Sequence, residues 1–173
     1  GRAWGLRDRD IAQGLQAFRG PERRCQSRRV GDLWLLDDSY NASPQSMRAA
    51  LDLLRETPAR GQRIAVCGDM LELGDAAQAA HLRLGQEIVT VGGADRLFAC
   101  GQFAHDIARG ARQAGMPARA IETVADPSHV ADALAKLASP GDAILFKASR
   151  AVGLDAVVEL LFALLSSRAT PPA

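Results

Sequence analysis

Five short apolar runs, each followed by a stretch with helical spacing, govern what this chain can fold into. The runs are 33–37, 63–67, 96–100, 120–124 and 143–147. Their length and their bounding turn residues suit buried strands. The stretches between and after them are 44–56, 75–91, 102–114, 127–138 and 153–166. In the first, Met47, Ala50, Leu51 and Leu54 fall on one helical face. In the last, Leu154, Val157, Val158, Leu161 and Phe162 do the same. Repeated strand–helix alternation predicts an α/β fold, a doubly wound, Rossmann-like, mostly parallel sheet with helices on both faces. Ahead of it, residues 24–29 and 33–37 flank Val30-Gly31-Asp32, which reads as a hairpin turn. The first strand is then an antiparallel edge.

Local signals set the boundaries. Ser43 suits an N-cap and Pro44 the first helical position; Asp126 and Pro127 repeat that pair. Gly115 and Pro117 stop the helix before them. Residues 8–18 have helical spacing, with Ile11, Leu15 and Phe18 on one face, until Gly20-Pro21. The end, 169–173, is small and Pro-rich and reads as frayed. A chain of 173 residues is long enough for one domain with a real core. The start at Gly1-Arg2, inside helical texture, reads as a piece of something longer.

The same alternation directs attention to strand ends. In open α/β sheets, ligands bind in the crevice outside the carboxyl ends of the strands. Three such ends are polar here. Asp37-Asp38 follows the first run, with Tyr40 and Asn41 in the next loop; Gly68-Asp69 follows the second; Lys147 to Arg150 follows the fifth. Lysine is rare in this chain, present only as Lys136 and Lys147. A Lys on a buried strand needs a partner or a route to solvent. With Ser149 and Arg150 it makes a carboxylate or phosphate site, or it pairs with Asp37 or Asp38 and holds the sheet edge. His81, on a helix, reads as a surface or core-edge residue. Arg23 and Arg24 read as solvated charges.

Some chemistry is excluded. No Gly-x-x-x-x-Gly-Lys-Ser/Thr phosphate loop is present, no Gly-x-Gly-x-x-Gly follows the first run, and no Gly-x-Ser-x-Gly elbow occurs. Cys25, Cys67 and Cys100 are too widely spaced for a metal site or a disulfide framework, which favours a reducing, cytoplasmic setting. A net charge of +1 implies no nucleic-acid partner. No apolar span is long enough for a membrane.

Residues 37–47 resemble the signature Asp-Asp-Ser-Tyr-Asn-Ala-Asn-Pro-x-Ser-Met of the Mur ligases that add D-alanyl-D-alanine, with Ser43 in place of the second Asn. Two further stretches match in order: Gly68-Asp69-Met70-Leu71-Glu72-Leu73-Gly74 with His81 following, and Lys147-Ala148-Ser149-Arg150, where Gly is usual at 148. The resemblance spans roughly residues 8–165. It implies a C-terminal domain of an ATP-dependent amide ligase of peptidoglycan precursor synthesis. Such an enzyme activates the carboxylate of UDP-N-acetylmuramoyl-tripeptide as an acyl phosphate, which the amine of D-alanyl-D-alanine attacks. Magnesium and the phosphate loop belong to the family's central domain and the UDP moiety to its N-terminal domain. Residues 1–22 are then a central-domain tail with a hinge, and 23–168 the C-terminal domain. The resemblance implies that Arg23 touches ATP from the hinge, that Asp38 meets the ribose, and that Asn41 lies near the nucleotide. It puts Lys147, Ser149 and Arg150 toward the incoming dipeptide. No catalytic residue is expected in this chain alone.

Two other readings compete. A receiver-type regulatory domain also has paired acids after its first strand and a Lys after its fifth. Its third strand should end in an acid, whereas here it ends Phe98-Ala99-Cys100-Gly101. A non-catalytic binding domain would keep the fold alone.

Overall fold

In a computed structural model, which describes residues 2–17 and 23–169, six strands form a single sheet. They are β1 (Gln26–Val30), β2 (Leu33–Asp37), β3 (Arg63–Cys67), β4 (Arg96–Cys100), β5 (Ile121–Val124) and β6 (Ala143–Lys147). The helices are α1 (Asp8–Ala17), α2 (Pro44–Glu56), α3 (Ala77–Thr90), α4 (Ala104–Gln113), α5 (Ser128–Leu137) and α6 (Leu154–Ala169). The strand order is β1-β2-β6-β3-β4-β5. Only β1 is antiparallel to its neighbour; β2, β6, β3, β4 and β5 run parallel. The doubly wound expectation holds. The order differs from the 2-1-3-4-5 order of receiver-type folds, because the last strand returns into the gap between β2 and β3.

Alternation along each strand splits the core in two. Leu36, Ala65, Cys67, Leu97, Ala99 and Leu145 face α2, α3 and α4. Leu35, Ile64, Val66, Phe98, Ile144 and Phe146 face α5 and α6. Both faces of these strands are buried, so their sequences read as continuous apolar runs rather than alternating ones. The expected face of α2 is buried as Met47, Ala50, Leu51 and Leu54. In α6, Leu154, Val157, Val158 and Leu161 are buried and Phe162 packs at the rim.

Four strands have the bounds expected from their apolar runs. The hairpin strand begins two residues later than expected. Arg23 and Cys25 have φ of 59° and 48°, so the extended ladder starts only at Gln26. Its turn is Gly31-Asp32, where Gly31 takes a φ of 58° that a side chain would resist. Strand β5 starts one residue late because Ala118–Ala120 forms a 3-10 turn. Helix α3 starts at Ala77 and α4 at Ala104, each after a turn. For α5 the cap is shifted by one: Pro127 stands at the N-cap, while the Asp126 carboxylate accepts the Ser128 N–H at 2.9 Å. The expected helix end and hinge at 18–22 lie outside the described residues, as does the expected frayed tail except for Ala169, which is the last residue of α6.

The α2 start follows its residues closely. The Ser43 hydroxyl accepts the Ser46 N–H, and Ser46 Oγ accepts the Ser43 N–H at 2.9 Å, a reciprocal capping box. This fixes α2 directly behind the loop that carries Asp38 to Asn41.

Candidate functional site

The three polar strand ends meet on one edge, and hydrogen bonds lock their loops together. The parallel ladder sets the base: Asp38 N–H donates to Phe146 O and Gly68 N–H donates to Lys147 O, both at 3.0 Å. Above it, Ser149 ties β6 to the loop after β3. Its N–H donates to Asp69 O at 2.8 Å, and its hydroxyl oxygen accepts the Leu71 N–H at 3.0 Å. Ala148, where the resemblance leads to an expectation of Gly, has no positive φ. Its methyl is buried against Gly68, where an added Cβ would come within 2.9 Å of it. The pair keeps the two strand ends close without requiring glycine at 148.

Lys147 is the centre of the edge. It is 1% exposed. Its ammonium donates to Asp38 Oδ2 at 2.5 Å and to the Asn41 carbonyl at 2.9 Å. Of the two adjacent acids at the end of β2, only Asp38 pairs with it. Asp37 turns inward, and its Oδ1 accepts the Ser39 N–H at 3.1 Å and the Ser39 hydroxyl at 2.6 Å. Asp38 Oδ1 accepts the Cys25 N–H at 3.1 Å. Both Asp38 oxygens are thus held, yet each retains acceptor capacity.

Around this pair lies an open cavity of about 300 Å³, lined by Arg24, Cys25, Asp38, Tyr40, Asn41 and Ser43, with Lys147 at its floor. The Asn41 Oδ1 accepts the Ala42 N–H at 2.8 Å, which orients that side chain. The Cys25 thiol is pushed up from its ordinary range by burial and by the Asp38 charge, so it stays protonated at neutral pH. A carboxylate, an amide and hydroxyls around such a space can bind a polyhydroxylated ring such as ribose. Among the described residues, no three His, Cys, Asp or Glu side chains cluster to hold a metal ion.

The arginines divide. Arg23 places its carbonyl on the Tyr40 N–H at 3.1 Å. Its guanidinium turns away to Asp155 on α6, at 2.7 Å, rather than into the cavity. The solvated reading of Arg23 is therefore replaced by a half-exposed ion pair. Arg24 and Arg150 both approach the exposed Tyr40 ring, at 4.6 and 5.6 Å from its centroid. Arg24 was legible only as one of an adjacent basic pair. The ring that gathers it lies 16 positions further along the chain.

Asp69 and His81 have structural roles here. The Asp69 carboxylate accepts the N–H groups of Gln102 and Phe103, at 2.8 and 2.9 Å, at the start of α4. His81 is fully buried rather than at the core edge. Its Nε2 accepts the Met70 N–H at 2.8 Å, its Nδ1 faces Ala77 O at 2.6 Å, and its ring stacks on Phe103 with centroids 4.3 Å apart. These bonds assign the proton to Nδ1 and pin the Gly68–Leu73 loop.

Residues 23–150 match the family described as Mur ligase, glutamate ligase domain. The chain belongs to the Mur ligases. It is 41% identical over 144 residues to a UDP-N-acetylmuramoyl-tripeptide--D-alanyl-D-alanine ligase of Synechocystis, which covers 83% of this chain and 31% of that protein. Its fold superposes on MurF from Acinetobacter baumannii with a TM-score of 0.77 and 28% identity, over 93% of this chain and 35% of the other. MurF ligase from Thermotoga maritima in complex with ADP gives a TM-score of 0.71 at 27% identity, over 92% and 37%. The chain thus spans about a third of the length of these relatives. In this Mur ligase domain, the segments with family resemblance are the three that interlock at the sheet edge.

Proposed function

We propose that this chain is the C-terminal part of an ATP-dependent ligase that joins D-alanyl-D-alanine to UDP-N-acetylmuramoyl-tripeptide in the cytoplasm. The observation that carries the reading is the interlocking of three separate strand-end segments at one sheet edge, two of which border the cavity beside Asp38, in a chain similar to ligases of that name. A reducing compartment suits its three free thiols.

ATP supplies the phosphoryl group that activates the tripeptide carboxylate. The part of this chain is to bind and orient. Asp38 accepts from ribose hydroxyls, as acids at strand ends do in dinucleotide folds. Asn41 borders the same space, and Arg23 reaches the nucleotide after leaving Asp155. Ser149 and Arg150 face the dipeptide and hold its carboxylate by a hydroxyl and a guanidinium. Its amine then meets the activated carbonyl in a space that domain closure has cleared of water. The described residues do not fit magnesium, which this reading leaves to the rest of the polypeptide together with the phosphates.

The test is product formation by the full-length polypeptide. Release of ADP should require both the tripeptide nucleotide and D-alanyl-D-alanine, and mass spectrometry should find the pentapeptide product. ADP release with a different amino acid and none with the dipeptide would reject this reading. The present chain alone should not turn over.

A further inference from the structure

Within that ligase reading, we propose that Lys147 is a positioning residue of the nucleotide half of the site and not a ligand of the dipeptide. Every short bond of its ammonium goes to the β2 loop: Asp38 Oδ2 at 2.5 Å and the Asn41 carbonyl at 2.9 Å. Its remaining proton lies nearest the Asp38 carbonyl, at 3.5 Å. None of these bonds goes to Ser149 or Arg150, although both follow Lys147 directly in sequence.

The reason is the sheet. Successive residues of β6 point to opposite faces, and β6 lies between β2 and β3. Lys147 ends that strand next to the β2 end, and its side chain reaches sideways over Asp38. Its own carbonyl meanwhile accepts from Gly68, the residue just after β3. One residue thus joins β3, β6 and the loop that carries Asp38 and Asn41.

A substrate carboxylate that captured this ammonium would have to displace Asp38 or Asn41. It would leave a buried carboxylate or carbonyl without its donor, so one strong bond would replace another with no net gain. Held as it is, Lys147 fixes Asp38 Oδ2 while the Cys25 N–H fixes Oδ1. The two oxygens are then presented together, with one acceptor site left on each, to a vicinal diol. By binding the Asn41 carbonyl, Lys147 also sets the turn that places the Asn41 side chain beside the same cavity.

The test compares ATP with 2′,3′-dideoxy-ATP in the full-length ligase, using Lys147→Met, Asp38→Asn and the double variant. A merely structural Lys would alter stability but not the preference for ribose hydroxyls. If Lys147 acts through Asp38, each single variant should narrow that preference by about tenfold, as expected for loss of a charged hydrogen bond. The double variant should be no worse than either single one, since both changes disable the same carboxylate. The dipeptide KM should stay within about twofold of the wild type. A rise in dipeptide KM with the ATP preference intact would overturn the proposal. So would a lowered melting temperature with unchanged kinetics. If Lys147→Met does not fold, the double variant, which leaves no lone buried charge, is compared with Asp38→Asn; any added rise in dipeptide KM would again overturn it. The ribose reading and the Lys147 role separate cleanly. Asp38→Asn with an intact preference removes both, whereas Asp38→Asn with a narrowed preference and Lys147→Met without one removes only the role of Lys147.

Discussion

Replacing Asp69 by Ala should loosen the loop between β3 and α3 and the start of α4 together. The Asp69 carboxylate is 7% exposed and accepts two N–H groups, from Gln102 at 2.8 Å and Phe103 at 2.9 Å. Gly101 beside it has a φ of 92°, and a Cβ there would lie 2.5 Å from Asp69 Oδ2, so carboxylate and backbone are in close contact. A buried donor left without an acceptor costs about 1–3 kcal/mol. Gln102 is exposed, so water recovers part of its bond, while Phe103 is half-buried and recovers less. Loss of an anion at a helix start adds about 0.3–1 kcal/mol. The sum is about 2–4 kcal/mol, or a fall in Tm of roughly 5–15 °C for a domain of this size. Thermal melting of this chain by far-ultraviolet circular dichroism measures it. Amide exchange should locate the change at Gln102 and Phe103. Asp69→Asn keeps one acceptor oxygen and should lose about half as much. A Tm within about 1 °C of the wild type for Asp69→Ala would refute the capping role.

Glycines separate close packing from mere helix propensity. At Gly110 of α4 an added Cβ would lie 2.0 Å from the Leu82 carbonyl of α3, so Gly110→Ala should lower stability by about 3 kcal/mol in urea melts despite its better helix propensity. At Gly14 of α1 nothing lies within 4 Å, and Gly14→Ala should raise stability by roughly 0.5–1 kcal/mol; the opposite order would contradict the packing of α3 on α4. Burial pushes the thiols of Cys67 and Cys100 up from 9.0 to about 12, so a thiol reagent should label exposed Cys25 alone until the chain is unfolded. In the unfolded chain these two thiols ionise near 9, while in the fold they keep their protons. Their stabilising contribution is therefore complete below about pH 9 and lost as pH rises toward about 12. Urea midpoints that stay level across that interval would contradict it.

Much of the architecture could be read before any coordinates. The buried strands announce themselves because both sheet faces are covered, which makes 33–37, 63–67, 96–100 and 143–147 plain apolar runs. Ser43-Pro44 marks the start of α2 through chemistry confined to four residues. The hairpin strand was less legible, since Arg23 and Cys25 take left-handed conformations that no local propensity reveals. The choice of edge was also visible, because carboxyl ends of parallel strands all face one way whatever their order.

What the chain alone left open is which strand end touches which. Lys147 could pair with Asp37, with Asp38 or with a ligand. His81 read as a surface or core-edge residue, Asp69 had no assigned partner, and Arg23 had none within the chain. Lys147, Asp69 and Arg23 were decided by contacts between residues far apart in sequence: 109 positions for Lys147 and Asp38, 33 for Asp69 and Gln102. A parallel strand's pairing depends on where its crossover helix finds an apolar face to cover, and that is a property of the whole sheet. The sequence by itself determined the elements, the two buried faces and the edge on which polar groups gather. The tertiary structure, by returning β6 between β2 and β3, decided that the ammonium of Lys147 would lie against the carboxylate of Asp38.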